Sequence, residues 1–309
     1  MGKYKVSTPQ TVARHWGLST IEPLKRDDKG FPYLLGLEVE LEGFSPEASL
    51  PNYMRANWTL KGDSSLRNNG GELVTSGGKR GSQLVIALRD LGEYFKEESL
   101  VVSHRCSLHT HIDMREATLE EVERFFLLYM LLEPVLYDAG GKERYWSIYC
   151  PGLTHTTESI KRAAIAFNSN DFRQITSTWN KYTGINFCRL SDLGTVEIRT
   201  HRGTTDIQEI TNWCSILTHI KEASKRFSLQ DIEAMSSSAS MVLSSVFPPV
   251  IINSLNTELY YNLYNNIIYN YKYYNYIIYI INSNLFNQQT DYQQIEEAAR
   301  AYVRTSRSS

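Results

Sequence analysis

The chain has 309 residues and a mass of 35.5 kDa, which is enough to bury a large core in one big domain or two modest ones. Hydrophobic residues make up 42% and charged residues 21%, a globular balance that excludes wholesale disorder. The 32 basic and 34 acidic residues give a net charge of −2, so no overall basic field recruits nucleic acid or an anionic lipid surface.

The spacing of the cysteines and the lack of long apolar segments both predict a cytoplasmic location. Neighbouring cysteines are 26 to 44 residues apart and none forms a Cys-x-x-Cys pair, which argues against a disulfide framework and a structural zinc site. The first thirty residues hold no continuous apolar stretch, and no run of eighteen apolar residues occurs anywhere. We therefore expect a cytoplasmic protein without a signal peptide or a membrane span.

Changes in composition divide the chain into four parts. Residues 1–32, which contain three prolines, predict an N-terminal arm. Residues 33–235 alternate strand-like and helix-like segments and predict the main domain. Residues 236–249 are rich in serine and end in two prolines, which predicts a linker. Residues 250–309 begin with a Tyr/Asn/Ile-rich stretch and form a separate C-terminal segment.

Three helices in the main domain have recognisable patterns. Ser82 precedes apolar residues at helical spacing, and Thr118 with Glu121 has the spacing of a capping box. The second helix is predicted to end before Pro134. A third apolar face runs through residues 206–224. We interpret these helices as packing elements that cover a sheet.

The C-terminal segment carries a heptad-like seam. Its apolar and aromatic residues follow an alternating 4-3 spacing and are Tyr260, Tyr264, Ile267, Tyr271, Tyr274, Ile278, Ile281 and Leu285. This spacing predicts a helix that docks a partner or forms a homo-oligomer through residues 260–285. Asparagine and tyrosine are poor helix formers, so a low-complexity tail is the alternative.

Three short segments alternate ionisable with apolar or β-branched residues, as a strand with two different faces does. They cover residues 38–42, 109–113 and 197–201, and their ionisable residues are Glu38, Glu40, Glu42, His109, His111, Asp113, Glu197, Arg199 and His201. If the strands share one sheet, five carboxylates crowd onto one surface, which is costly unless cations neutralise it. Solvent-facing strands are the alternative for any single segment. The three patterns together favour a site for Mg²⁺ or Mn²⁺.

Two further segments add carboxylates in turn and strand contexts. Asp63 lies in a glycine-bearing turn at residues 61–66, and Glu72 enters a short strand at residues 71–76.

These two segments, together with residues 36–40, 106–113, 182–186 and 195–204, resemble the amidoligase family. That family is a bacterial and phage branch of the carboxylate–amine ligases related to glutamine synthetase and glutamate–cysteine ligase. The resemblance runs from about Tyr33 to Lys225.

The resemblance implies an α+β fold with a curved antiparallel sheet of the glutamine synthetase catalytic type and helices on its convex face. The concave face would hold ATP and Mg²⁺ or Mn²⁺. The metal ligands implied are Glu38, Glu40, Glu197 and His111. The residues implied at the nucleotide are His109, His111, Arg199 and His201. The catalytic residues implied are Arg199 at the phosphoryl group, Arg144 at a phosphate or substrate, and Glu72 or Asp63 at the incoming amine.

The reaction implied is ATP-dependent amide formation through an acyl phosphate, from a carboxylate and an amine that the sequence does not identify.

One residue departs from the family pattern. The family usually has glycine after the cysteine of its histidine motif, and this chain has Ser107.

Two other functions compete with a ligase. In the first, His109, His111 and Glu116 fit the start of a cupin-like metal motif, although Glu123 stands where that motif expects glycine. In the second, the main domain is a non-catalytic scaffold that associates through the C-terminal seam. Dependence on ATP separates a ligase from a cupin-like enzyme.

Overall fold

The computed structural model describes residues 10–21, 31–45, 47, 49–155, 157–282, 297 and 301. Across these residues six antiparallel strands form one curved, unclosed sheet in the order β2-β3-β1-β4-β6-β5. The strands are β1 Leu35–Leu41, β2 Trp58–Gly62, β3 Gly71–Thr75, β4 Ser107–Asp113, β5 Ile185–Asn186 and β6 Thr195–Arg202. The predicted mixed fold with a curved antiparallel sheet is confirmed. Its assignment to the glutamine synthetase catalytic type stays a prediction.

The described α-helices lie before, between and after the strands. They are α1 Val12–Trp16, α2 Asn52–Arg55, α3 Gly81–Glu97, α4 Leu119–Gly140, α5 Thr157–Asn168, α6 Phe172–Thr178, α7 Ile207–Arg226, α8 Leu229–Met235, α9 Ala239–Val246, α10 Pro249–Ile252 and α11 Glu258–Asn282. The three predicted helices correspond to α3, α4 and α7. Their apolar sides join the strands in one hydrophobic core.

Helix α4 starts where the sequence predicts and ends later than predicted. The Thr118 hydroxyl accepts a hydrogen bond of 3.2 Å from the Glu121 amide, as an N-cap does. The helix then continues past Pro134 to Gly140, so the predicted end at Pro134 is wrong. A proline inside a helix costs about 3 kcal/mol through a lost hydrogen bond and a clash. Nearly every residue around Pro134 is buried, and this packing offsets the cost.

Alternation along β1 separates the two faces of the sheet. Leu37 and Val39 are fully buried in the core with the helices. Glu38 and Glu40 therefore project from the opposite face. This face of the sheet carries the candidate site.

A β-bulge interrupts the pairing of β4 with β6. Leu108 pairs with His201, whereas Thr110 pairs with Ile198. One residue of β4 therefore lies opposite two residues of β6, Arg199 and Thr200, and the phase of β6 side chains reverses at this point.

The segment predicted as a linker is partly helical. Residues 236–249 contain α9, in which Val242, Leu243 and Val246 are buried in the same core as the sheet. Serine side chains bond to nearby carbonyls in this segment, as in the hydrogen bond of 2.7 Å from the Ser236 hydroxyl to the Glu233 carbonyl. The division of the chain into domains stays a prediction.

Helix α11 packs against α4 and α5. The seam residues Tyr260, Ile267, Tyr271 and Tyr274 are buried in the core of the same chain. The C-terminal segment is thus helical through Asn282, and Leu285 of the predicted seam lies outside the described residues. Formation of a homo-oligomer stays a prediction.

The predicted absence of a membrane span agrees with the described helices, none of which combines the length and the apolar character needed to cross a bilayer.

Candidate metal centre and active site

Three neighbouring strands bring carboxylates and imidazoles to one face of the sheet. Glu38 on β1 pairs with His109 on β4, and His111 on β4 pairs with Glu197 on β6. Residues paired directly across antiparallel strands point to the same side. The four side chains therefore gather on the face opposite the helices.

Glu38, His109 and Glu197 form a compact group, which we call the acidic cluster. The Nδ1 atom of His109 lies 3.5 Å from Glu38 Oε2 and 3.4 Å from Glu197 Oε1. One ligand atom from each residue lies within 4.8 Å of the other two. His111 lies at the edge of the cluster, with its Nε2 atom 3.3 Å from Glu38 Oε1.

The chemistry of the acidic cluster fits a divalent cation. Two carboxylates and an imidazole are ligands that suit Mg²⁺ and Mn²⁺, and the two carboxylates, one buried and one partly buried, would otherwise repel each other. Glu197 is 5% exposed and Glu38 is 24% exposed, so one side of the cluster stays open to a substrate. Of the four predicted metal ligands, the cluster contains Glu38 and Glu197.

The surroundings favour the ionised form of both carboxylates. Burial raises the pKa of Glu38, but hydrogen bonds and positive charge from His109 and His111 outweigh burial and lower the pKa well below its usual range. Burial also raises the pKa of Glu197, and the charges of His109 and then Arg199 lower it overall. Both groups are therefore ready to bind a cation at neutral pH.

Three residues orient the side chains of the cluster or His111 at its edge, and none of the three was predicted to have a role. Asn186, which pairs with Glu197 in the β5–β6 ladder, donates a hydrogen bond of 2.6 Å to its Oε2. The Thr195 hydroxyl lies 3.0 Å from Nδ1 of His111, and Ser107 contacts His109. Asn186 and Ser107 lie within segments that resemble the family, and this resemblance is the signal in the sequence that could have identified them.

Glu40 and Glu72 extend the acidic surface beyond the cluster. Glu40 accepts a hydrogen bond of 2.8 Å from the Ser107 amide, and its Oε1 is 3.9 Å from His109 Nε2. Glu72 pairs with Glu40 across β1 and β3, and the Lys61 ammonium is 3.7 Å away. Burial, and next the charge of Glu38, raise the pKa of Glu72. Its carboxylate is thus a better proton acceptor than an ordinary glutamate.

The expectation that a cation neutralises all five carboxylates of this surface is wrong for two of them. Glu42 accepts hydrogen bonds from the Arg67 amide and the Ser103 hydroxyl, so it anchors a loop. Asp113 forms a salt bridge with Arg115 at the end of β4. Both residues keep the strand phase, but local donors neutralise them.

The expectation that His201 reaches the nucleotide face is also wrong. The bulge places His201 opposite Leu108, on the core side of the sheet, where its ring packs 4.9 Å from the ring of Trp213. Its Nδ1 lies 2.7 Å from the Arg202 carbonyl.

Asp63 lies in the turn that follows β2. Its Oδ1 accepts a hydrogen bond of 2.8 Å from the Ser65 amide, which is the arrangement of an Asx turn. The carboxylate therefore already has a structural role.

A cavity of about 530 Å³ opens beside Glu40 and Ser107. Arg144 and Arg199 line it, and Arg144 donates a hydrogen bond of 3.1 Å to the Arg199 carbonyl. Arg199 also forms a salt bridge with Glu197. The buried Nε atoms of both arginines lack a hydrogen-bond partner within the described parts of the chain. Such donors suit an anionic ligand.

A cavity with convergent charged groups beside residues of shifted pKa is the first candidate for an active site. A sequence model of the family described as "Putative amidoligase enzyme" matches residues 79–220, so the predicted family resemblance is confirmed over this range. No curated protein matches the chain.

The family match covers just under half of the chain and is shorter than the expected range from Tyr33 to Lys225. It contains β4, β6 and α4 with the site residues His109, His111, Arg144, Glu197 and Arg199. Glu38 and the other strand carboxylates before residue 79 enter the site through the geometry of the sheet. The match supports an enzyme of the ligase type.

The geometry does not favour the cupin-like alternative. Glu116 lies beyond the end of β4, where its carboxylate accepts a hydrogen bond of 3.4 Å from the Ile21 amide. The sheet is also unclosed, whereas a cupin is built from a double-sheet jelly roll.

Proposed function

We propose that the protein is an ATP-dependent carboxylate–amine ligase that forms an amide bond through an acyl phosphate. The observation that carries this proposal is the position of the acidic cluster beside the cavity that Arg144 and Arg199 line. The family match adds the class of reaction, because amidoligases join a carboxylate to an amine.

Glu38, His109 and Glu197 would hold a divalent cation, Mg²⁺ or Mn²⁺, with Glu40 and His111 next to them. When bound, the cation supplies positive charge to the nucleotide phosphates. The chain contributes ligands that are already ionised, which limits the reorganisation needed for binding.

In the first step a carboxylate oxygen of the substrate attacks the γ-phosphorus of ATP, and the bond between that phosphorus and ADP breaks. Catalysis of this step depends on positioning and on neutralising charge more than on a protein nucleophile. Arg199 and Arg144, which line the cavity, would bind oxygens of the transferred phosphoryl group through their guanidinium groups.

In the second step the amine nitrogen attacks the acyl carbon, inorganic phosphate leaves, and one proton must leave the nitrogen. Glu72 suits this proton because its pKa is raised and it lies next to Glu40. Asp63 is the weaker candidate because the Ser65 amide already occupies its carboxylate.

The test measures ADP release by purified full-length protein with ATP, Mg²⁺ and pools of carboxylates and amines. We expect release only when a carboxylate is present, together with an amide product when the amine is added. A cupin-like enzyme would not require ATP. Release that ignores the carboxylate, or no release with any pool, would overturn the proposal.

A further inference from the structure

We propose that Ser107 is a positioning residue that selects the tautomer of His109 and leaves its Nδ1 atom free to bind a cation. This inference rests on the metal role in the proposed function and adds a residue to it.

Ser107 lies between two members of the site. It is the first residue of β4 and is 3% exposed. Its hydroxyl donates a hydrogen bond of 2.5 Å to Glu40 Oε2 and lies 2.8 Å from Nε2 of His109. The Ser107 amide donates a second hydrogen bond of 2.8 Å to the same carboxylate oxygen.

The protons in this series of hydrogen bonds, from His109 through Ser107 to Glu40, can be assigned by counting donors. An ionised carboxylate only accepts hydrogen bonds, so the single hydroxyl proton of Ser107 is directed to Glu40. The hydroxyl oxygen can then only accept from His109, which requires a proton on Nε2. A histidine that binds a cation is neutral, so with a cation present the other nitrogen, Nδ1, consequently carries a lone pair. Without a cation, a proton on Nδ1 provides the hydrogen bond from His109 to Glu38 instead.

That lone pair is directed toward Glu38 and Glu197. His109 Nδ1 lies within 3.5 Å of an oxygen of each carboxylate. Three acceptors in this arrangement repel one another unless a cation lies among them. The hydroxyl of Ser107 therefore prepares the acidic cluster as a set of three ligands, in the way that outer residues orient metal-binding histidines elsewhere.

The first measurement is Mn²⁺ affinity of the full-length protein. Ser107→Ala keeps the backbone donor to Glu40 but removes the hydroxyl, so we expect Mn²⁺ to bind about 10- to 100-fold more weakly. Ser107→Thr keeps a hydroxyl and should bind Mn²⁺ within about threefold of the original affinity. Ser103→Ala, which removes a hydroxyl bound to Glu42 outside the cluster, is the matched control and should not change the affinity.

The second measurement reports the tautomer and does not depend on enzyme activity. Nitrogen-15 NMR of the Mg²⁺-loaded protein should show the His109 proton on Nε2, with the signal assigned by its loss in His109→Gln. Ser107→Ala should shift the population toward the other tautomer, and Ser107→Thr should restore it. A serine with a merely structural role would leave the tautomer unchanged.

Two results would overturn the inference: a proton on Nδ1 of His109 in the unsubstituted, Mg²⁺-loaded protein, or unchanged Mn²⁺ affinity in both Ser107→Ala and Ser107→Gly. A correct tautomer and tight Mn²⁺ binding without any ADP release would instead refute only the proposed ligase function.

Discussion

At the scale of single residues, the acidic side chains of one strand have different partners and therefore different roles. Glu38 faces two histidines and keeps an open side, whereas Glu42 accepts hydrogen bonds from the Arg67 amide and the Ser103 hydroxyl. Both are glutamates of the same alternating segment. Their partners, not their spacing, decide which one can hold a cation.

This difference predicts the effect of removing one charge. Glu38→Gln and Glu197→Gln should each weaken Mn²⁺ binding by about a hundredfold or more and abolish ADP release, because each removes an anionic ligand without changing the size of the side chain. Calorimetry and an ADP assay measure both effects. Glu42→Gln is the matched control and should keep both properties, and turnover in both cluster variants would disprove the site.

A second prediction concerns Arg199. Replacing it with lysine keeps the charge but removes the planar guanidinium donors of a residue that lines the cavity, so ADP release should slow by about a hundredfold or more. Mn²⁺ affinity should change much less, because the acidic cluster remains. Arg189→Lys, in an exposed pair with Asp192, is the control. Equal turnover of the Arg199 variant and the unsubstituted protein would exclude a role at the phosphoryl group.

At the scale of elements, the sequence predicts the strands of the site better than their register. Alternation locates the segments of β1, β4 and β6, and the capping pattern locates the start of α4. The bulge opposite His109 depends on pairing between strands that are distant in the chain, so alternation alone puts His201 on the wrong face. The predicted end of α4 at Pro134 is wrong for a similar reason, because local helix propensity does not include the packing around this residue.

The position of His201 predicts how stability depends on pH. Burial lowers the pKa of His201 from 6.5 to about 4, so between these values the unfolded chain binds a proton that the folded chain does not. His201 should therefore make the free energy of unfolding fall by up to about 3 kcal/mol as pH decreases through this window, and its own contribution should stay level below it.

Urea unfolding across the same pH window measures this loss. His201→Gln should remove most of the dependence, while His104→Gln, at an exposed position, should leave it in place. A pH profile that is identical in the protein with and without His201 would show that this residue does not cause it.

Helix α11 predicts a contrast between two adjacent tyrosines. Tyr260 is fully buried, whereas Tyr261 is 52% exposed. Tyr260→Ala should lower the free energy of unfolding by about 3–5 kcal/mol, as for other large aromatic residues in cores. Tyr261→Ala should cost less than about 1 kcal/mol. Equal effects, measured by chemical denaturation, would contradict the packing of α11 on α4.

At the scale of the whole molecule, the sheet separates packing from chemistry. One face joins the helices in a continuous core, and the other carries the acidic cluster and the arginine-lined cavity. The family match covers only the later strands of this arrangement, so the first strand of the site could be connected to the others only through the fold.

This arrangement predicts that a cation stabilises the entire protein. A ligand at a hundred times its dissociation constant adds about 2.7 kcal/mol when it binds only the folded state. Mn²⁺ should therefore raise the melting temperature of the unsubstituted protein and of Glu42→Gln, but not of Glu197→Gln. Calorimetric scans with and without a chelator test this, and an equal rise in all three proteins would indicate binding elsewhere.

The contact between α4 and α11 also sets an order of events during synthesis. The ribosome releases the sheet and α4 well before it makes the helix that covers α4, because α11 lies after every other described element of the core. Until then the side of Phe126 that later meets Tyr274 lacks this contact. The nascent chain thus passes through a stage in which all strands that carry the acidic cluster have been made, while the side of α4 that α11 later covers needs protection from aggregation.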